Sequence, residues 1–407
     1  MKNKIKYYYF FQGTLTAHVD LYKGWVDTAR KNGLPMEMVT FLSLPTYVKQ
    51  YRLVKHYRKF DYINIIITLP GLSPIITLFF FLTKAITNEQ LVIHLRKQPP
   101  NIFVLLKKLF KKRIKYMIEL EGDPLYEKEY LTEHPYKENF YKEVISGMEK
   151  HIRELPNQLN KTDYILTVTE ELKDLLDKRY PKIKIKEKIS VIPTGVDIDK
   201  IYFSENTRVN IREKLNLQDK FVIIYTGNAY YSWQNVYRTI EIFKLIKNKV
   251  AENAFLILLV RKEDHNIVKE FIDKLNLSDD EYILTQVDHE EIGKYLNASD
   301  LGVLLRHNHL MNEAASPGKF GEYLAAGLPV LTTKIVAKYP KEISENNYGI
   351  ILNDMDNDDE IIKKIVPFLK YDKEKRMKIR EWTRRKFSTD AYSQVYVNAL
   401  IGLATNE

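Results

Sequence analysis

The chain has 407 residues and no cysteine, which excludes disulfides, thiolate zinc sites and thiol nucleophiles and fits a reducing compartment. This length exceeds one ordinary core and suits two domains of about 200 residues each, while 45% apolar and 29% charged residues indicate neither disorder nor a fibrous architecture. The net charge of +10 calls for an acidic partner: nucleic acid, anionic lipid or a phosphorylated small molecule.

In chain order, the basic start is followed by an apolar run over 7–11 that is too short for a secretory segment, and no small-residue cleavage site follows, so a cytoplasmic chain is expected. Strands are expected at 6–11, 62–69, 90–95, 116–120, 164–168 and 189–192. The apolar stretch 63–82 approaches membrane-spanning length, but Asn64, Pro70, Gly71, Ser73 and Pro74 interrupt it. It reads as a buried strand, a turn and the start of a helix.

Residues 91–118 hold eight Lys or Arg (Arg96, Lys97, Lys107, Lys108, Lys111, Lys112, Arg113 and Lys115) and no acid. Ile102, Phe103, Leu105, Leu106, Leu109 and Phe110 recur there at helical spacing. A basic amphipathic helix follows, of the kind that lies on anionic membranes through residues such as Lys107, Lys108, Lys111, Lys112 and Arg113. Packing of its apolar face on the chain's own sheet is the other reading, and the two are compatible. With no helix-turn-helix, zinc-finger or RNA-binding motif to dock such a patch, nucleic acid is not expected as a partner.

Further strands are expected at 221–226, 255–260, 282–285, 301–305 and 329–332. Strands alternating with helices predict an α/β fold with parallel sheets covered on both faces. Two Rossmann-like domains follow, at 1–195 and 196–385. The last segment, 386–407, is expected to be a helix crossing back onto the first domain, with Phe387, Tyr392 and Tyr396 among its anchors.

The most informative stretch is Ala315-Ser-Pro-Gly-Lys-Phe-Gly-Glu-Tyr-Leu-Ala-Ala-Gly-Leu-Pro-Val-Leu331. Ser316 suits an N-cap, Pro317 a first helical position and Gly327 a left-handed terminator, so a short helix is expected over 317–326. A helix start offers unpaired amides, Gly318 admits a ligand close to the backbone, and Lys319 adds charge, a combination suited to a diphosphate. Glu322, one turn on, is placed to accept from a ribose diol. A well-capped helix with no ligand fits the same residues.

This stretch resembles the signature of retaining glycosyltransferases of the GT-B fold, group 1, especially the bacterial enzymes that build surface polysaccharides. Val191-Ile-Pro-Thr-Gly-Val-Asp197, Tyr225-Thr-Gly-Asn228 and Asn297-Ala-Ser-Asp300 resemble further motifs of that family in the same order. The resemblance implies that Gly227 and Asn228 border the diphosphate, that Val287 lies by the base, that Ser316, Pro317, Gly318 and Lys319 hold the phosphates, and that Glu322 binds the ribose. Two positions depart from the family pattern. A Glu expected near the donor sugar is replaced by Ala314, with Glu313 beside it, and the loop 229–235 lacks the Arg and Lys that neutralise the diphosphate. Arg261 or Arg306, each at a predicted strand end, is the candidate replacement, with Arg306 preferred because it precedes the signature loop.

On the acceptor side, Glu119, Glu121 and Asp123 flank Gly122 at a strand end, where open α/β sheets place ligands. Alternation puts Glu119 and Glu121 on one side, and they are candidates to orient or deprotonate an acceptor; a solvated acidic loop is the other reading. Gly13 and His18 mark a further candidate loop. The expected function is transfer of a sugar from a nucleoside-diphosphate sugar, UDP-linked, to a growing and lipid-linked bacterial surface glycan. A sugar-nucleotide epimerase of similar fold and a catalytically degenerate scaffold are the alternatives. No cofactor and no metal are expected: Asp354, Asp356 and Asp358 mimic a metal motif of another glycosyltransferase fold but lie in a late polar loop.

Overall fold

The computed structural model describes residues 5–11, 14–15, 19–96, 101–111, 113–336 and 340–405; the expectations on Gly13, His18, Lys97 and Lys112 lie outside these residues. Two compact units emerge, one comprising Met1–Glu121, Lys150–Pro193 and Tyr392–Glu407, the other Gly122–Glu149 and Thr194–Ala391.

The first unit is built on seven strands: β1 (Ile5–Phe10), β2 (Met36–Ser43), β3 (Ile63–Thr68), β4 (Gln90–Arg96), β5 (Ile114–Leu120), β6 (Tyr164–Thr167) and β7 (Ile189–Val191). All pair in parallel, in the order β3-β2-β1-β4-β5-β6-β7. Alternation along β1 assigns the two faces. Tyr7 and Tyr9 join a core with Val19 and Val26 of the helix Val19–Lys31 and with Tyr396 and Leu400 of the C-terminal helix Ser393–Thr405. Tyr8 and Phe10 meet Phe81 of the helix Ser73–Thr87, and Phe10 also meets Phe103 of the helix Asn101–Leu109. Strand β2 was not expected from the sequence. Met36, Met38, Val39, Phe41 and Leu42 are all buried, so it carries a nearly continuous apolar run rather than an alternating one, as strands covered on both faces do.

The second unit has a six-stranded parallel sheet of β8 (Phe221–Gly227), β9 (Ala254–Val260), β10 (Tyr282–Thr285), β11 (Leu301–Leu304), β12 (Val330–Thr333) and β13 (Gly349–Leu352), in the order β10-β9-β8-β11-β12-β13. The four-residue edge strand β13 also lay outside the expected set. Strand order reverses between β8 and β11, and at such a switch point the loops leaving adjacent strands diverge and open a crevice beyond their carboxyl ends. Gly227 ends β8, and Arg306 follows β11 by two residues, so the two flank that crevice. In the first unit the corresponding reversal lies between β1 and β4, and Arg96 ends β4.

The stretch Gly122–Glu149 is grouped with the second unit. Its Tyr130, Leu131 and Tyr141 pack with Met311, and Tyr230, Tyr231 and Trp233 of the loop after β8 close this small cluster.

Candidate functional site

The signature helix runs from Gly318 to Ala325, with extended backbone at Pro317 before it and Gly327 at φ +67° after it. A Cβ at Gly327 would lie 2.5 Å from the Arg376 carbonyl oxygen, so both conformation and space demand glycine. Ser316 does not cap this helix, contrary to the sequence expectation. Its hydroxyl instead accepts a hydrogen bond from the Thr194 amide at 3.1 Å, tying the junction motif to the signature loop. With no side-chain cap, the amides at this helix start are left to a ligand or to water.

Lys319 reaches back from the helix to the end of β8. Its ammonium donates to the Gln234 Oε1 at 3.0 Å and to the Tyr225 hydroxyl at 3.2 Å, and it sits 4.3 Å from the Tyr225 ring centre. A Cβ on Gly227, which has φ +117°, would lie 2.7 Å from that ammonium. Arg306, 5% exposed, donates to the same Gln234 Oε1 at 2.8 Å and to the Trp233 carbonyl at 2.5 Å. The loop that has no basic residue of its own thus receives its charge from Arg306 and Lys319.

Burial holds Lys319 well below the ordinary lysine value, and the neighbouring Arg306 lowers it further. Burial also lowers Arg306, with surrounding tyrosines acting in the opposite direction. Among the described residues neither cation forms an ion pair with a carboxylate. Two enclosed cations converging on one amide oxygen are unfavourable unless an anion joins them.

Asn228 is half-buried and its Oδ1 has no hydrogen-bond partner among the described residues. Arg261 pairs with the buried Asp264 at 3.1 Å; Asp264 in turn accepts from the Ala229 and Tyr230 amides at 2.8 and 3.3 Å. Arg261 therefore braces the loop through Asp264, while Arg306 touches it directly. Glu322 meets His289 at 3.3 Å. Val287, half-buried, packs on the apolar cluster beyond β10. Glu313, half-buried, ends the short helix Leu310–Glu313, and Ala314 beside it is buried.

Gln234, Asp264 and His289 were not anticipated, and Tyr225 was named only as part of the motif at 225–228. Polar residues in connecting loops carry no periodic signal, though Asp264 follows the end of β9 much as Arg306 follows β11. Asp356 does structural work: it pairs with Lys364 and accepts from the Asn353 amide, while Asn357 caps the helix Asp358–Ile365. No group of three or more His, Asp or Glu among the described residues could hold a metal ion.

In the first unit, Arg96 gathers the two predicted glutamates, lying 2.5 Å from Glu121 and 3.5 Å from Glu119. Its guanidinium also sits 4.9 Å from the Tyr22 ring centre. Burial and repulsion by Glu121 push the Glu119 carboxyl up to about 7, against the pull of Arg96. Asp123 lies in the other unit and caps the helix Pro124–Glu133, accepting from the Leu125 amide at 2.9 Å.

The predicted membrane helix is two-faced in an unexpected way. Phe103 and Leu106 are buried, but Leu105 and Leu109 are exposed beside Lys108, Lys111 and Arg113. Lys107 turns inward to Asp163 at 2.6 Å and to the Lys161 carbonyl. No helix among the described residues is long and apolar enough to cross a membrane.

A cavity of about 540 Å³ opens elsewhere in the second unit, beside Arg208, Arg212, Asp300 and Tyr371. Both arginines pair with Asp300, and Arg208 also donates to the Asn297, Ala298 and Ser299 carbonyls. The Asn297–Asp300 motif is thereby accounted for as a buried structural network.

Comparison with known families decides what this arrangement belongs to. The family "Glycosyl transferases group 1" matches residues 207–386, and "Glycosyltransferase Family 4" matches residues 39–200. The chain is thus similar to the group 1 glycosyltransferases over residues 207–386. It is 28% identical over 183 residues to an uncharacterized glycosyltransferase of Methanocaldococcus jannaschii, a match spanning 44% of the chain and 41% of that relative's length. Its fold is that of solved GT-B structures with two Rossmann-like domains. A glycosyltransferase from Rickettsia africae has a TM-score of 0.67 at 18% identity, each chain covered in full. Sucrose-phosphate synthase from Thermosynechococcus elongatus has 0.67 at 13%, with 99% of this chain and 100% of that one covered. Anabaena HepE, solved with UDP-glucose, has 0.64 at 13%, covering 98% and 99%.

Proposed function

We propose that this glycosyltransferase moves a sugar from a UDP-linked donor to a growing, lipid-linked surface glycan, with retention at the anomeric carbon. The observation that carries the donor side is the enclosed pair Arg306 and Lys319, converging on Gln234 with neither in an ion pair with a carboxylate among the described residues. A diphosphate satisfies both cations together with the uncapped amides of the signature helix. HepE, whose fold is shared, was solved with UDP-glucose, and the choice of UDP follows that likeness.

In this reading the bond from the anomeric carbon to the diphosphate oxygen breaks as the acceptor oxygen arrives on the same face, and the acceptor proton passes to the departing phosphate. Arg306 and Lys319 meet the charge that grows on the leaving diphosphate, so no metal ion is assigned a role. Glu322 would bind the ribose, exchanging its contact with His289 for the diol. Glu119, Glu121 and Arg96 would orient the acceptor, and the exposed cations of the helix Asn101–Leu109 would hold the enzyme at an anionic membrane surface.

Titration calorimetry with UDP, GDP, ADP and CMP tests the donor assignment. Selective binding of UDP that is lost in Arg306→Ala supports it; equal affinity in that variant, or preference for another nucleotide, overturns it.

A further inference from the structure

The charge of the chain is concentrated in one segment. Residues 44–115 contain fourteen Lys or Arg against two acids, Asp61 and Glu89. That excess is larger than the net +10 of the whole chain, so the rest is slightly acidic. The same segment holds eleven of the twenty exposed large apolar side chains among the described residues.

The helix Ser73–Thr87 is the centre of this anomaly. Its inner face sets Thr77, Phe81 and Ala85 against the sheet. Its outer face exposes Ile75 (52%), Phe79 (59%) and Ile86 (62%), at spacings of four and seven that stack them along one side of a helix. A surface helix ordinarily turns its polar stripe outward; here the solvent side carries large hydrocarbon groups. Phe81 touches Phe103 with ring centres 5.0 Å apart, so the helix Asn101–Leu109 lies alongside and adds exposed Leu105 and Leu109. Lys108, Lys111 and Arg113 are exposed at the end of that second helix.

We propose that the outer face of the helices Ser73–Thr87 and Asn101–Leu109 is a docking surface for an anionic lipid bilayer, with Ile75, Phe79, Ile86, Leu105 and Leu109 entering the acyl boundary and Lys108, Lys111 and Arg113 meeting phosphates. The inference rests on the membrane-associated reading above and names its surface. The first helix has 15 residues and is about 22 Å long, short of the roughly 30 Å hydrocarbon core, so it lies in the interface and does not span it. Pairing with a second copy would bring two like-charged faces together, which charge repulsion opposes. A bilayer supplies hydrocarbon and negative charge at once. Lys107 takes no part, because Asp163 and the Lys161 carbonyl hold it. The strand between the two helices, β4, ends at Arg96, which gathers Glu119 and Glu121. The unit that meets the lipid is thus the one carrying the acceptor-side candidates.

Flotation of the full chain with vesicles of phosphatidylcholine, with and without phosphatidylglycerol, provides the test. The wild type is expected to float with the anionic vesicles and to be released by salt. The double variant Ile75→Ser/Phe79→Ser is expected to lose at least tenfold in vesicle affinity while its UDP-induced thermal shift stays unchanged, the control for folding. Lys108→Glu/Lys111→Glu should lose affinity likewise. Vesicle binding by the serine variant equal to wild type, or no binding of wild type to anionic vesicles, overturns the proposal. So does a wild-type dimer in sedimentation that the serine variant dissociates, since the face would then belong to a second copy. Vesicle docking with this variant pattern, in an enzyme that uses only soluble acceptors, would uphold the surface and refute the lipid-linked acceptor.

Discussion

The ammonium of Lys319 occupies the space that a side chain on Gly227 would need, 2.7 Å from the position of such a Cβ. Glycine at the end of β8 therefore serves both a backbone at φ +117° and the close approach of a cation from the signature helix. In Gly227→Ala the backbone strain is expected to cost about 1–3 kcal/mol of stability, and the displaced ammonium should weaken UDP binding by roughly tenfold, the loss of one charge-assisted contact. Urea unfolding and calorimetry separate the two effects. An alanine variant that is less stable but binds UDP normally would show that the glycine serves the turn alone.

Lys319 also makes the empty site costly. Its pKa lies well below the ordinary lysine value of 10.5 because of burial and Arg306. Between that lowered value and 10.5 the unfolded chain keeps a proton that the native lysine gives up, so this group's contribution to stability rises with pH across that window. Lys319→Met should remove that slope and stabilise the free protein by on the order of 1–3 kcal/mol, as apolar replacements of buried charges often do, while abolishing UDP binding. A bound diphosphate draws the proton back, so UDP binding above the lowered pKa should take up a proton, seen in the wild type as a calorimetric enthalpy that depends on the buffer.

The tyrosines of the Gly122–Glu149 stretch are fasteners for the loop after β8. The Tyr141 hydroxyl donates to the Tyr230 carbonyl and accepts from the Ser232 amide, both at 2.8 Å, and the Tyr136 hydroxyl donates to the Ala229 and Tyr231 carbonyls at 3.1 Å. Tyr141→Phe strands a carbonyl and an amide, at a cost of about 1–3 kcal/mol. Because this loop carries Gln234, UDP affinity should fall several-fold with it. Tyr282→Phe, whose hydroxyl donates to Asp279 instead, serves as the comparison and should bind UDP normally.

Much of the fold could be read from the sequence because strand and helix periods differ: the runs that became β1, β3, β4, β5, β8 and β9 stand out against their amphipathic neighbours. Strand β2 did not, since its apolar residues follow neither a strand nor a helix period, with Glu37 and Thr40 breaking the run, and β13 has only four residues. At the site, Lys319 and Arg306 were singled out at a helix start and a strand end, where open sheets leave backbone and charge for ligands, whereas Gly227 entered through the family resemblance. Gln234, which joins them, sits in an aperiodic loop and becomes visible only when Arg306 and Lys319 meet on it. Ser316 shows the reverse case: a residue type suited to capping, drawn instead to the Thr194 amide by a contact 122 residues away in sequence.

Glu119 gives the acceptor side a pH signature. Its carboxyl is buried, faces Glu121 as well as Arg96, and is pushed up to about 7. Between the ordinary value of 4.5 and about 7 the native state holds a proton that the unfolded chain has released, so this group's contribution to stability falls as pH rises through that window. If the ionised carboxylate orients the acceptor, kcat should rise toward a plateau above about pH 7, and Glu119→Gln should remove that rise and lower kcat by about 10²-fold. Donor binding depends on residues of the other unit and should remain at the wild-type level. The glutamine keeps the side-chain volume beside Arg96, so a loss of activity without a loss of UDP affinity or of fold would mark the charge itself as the requirement. Wild-type kcat and an unchanged pH profile in Glu119→Gln would instead leave Glu119 as a partner that positions Arg96, and would shift the acceptor role to Glu121.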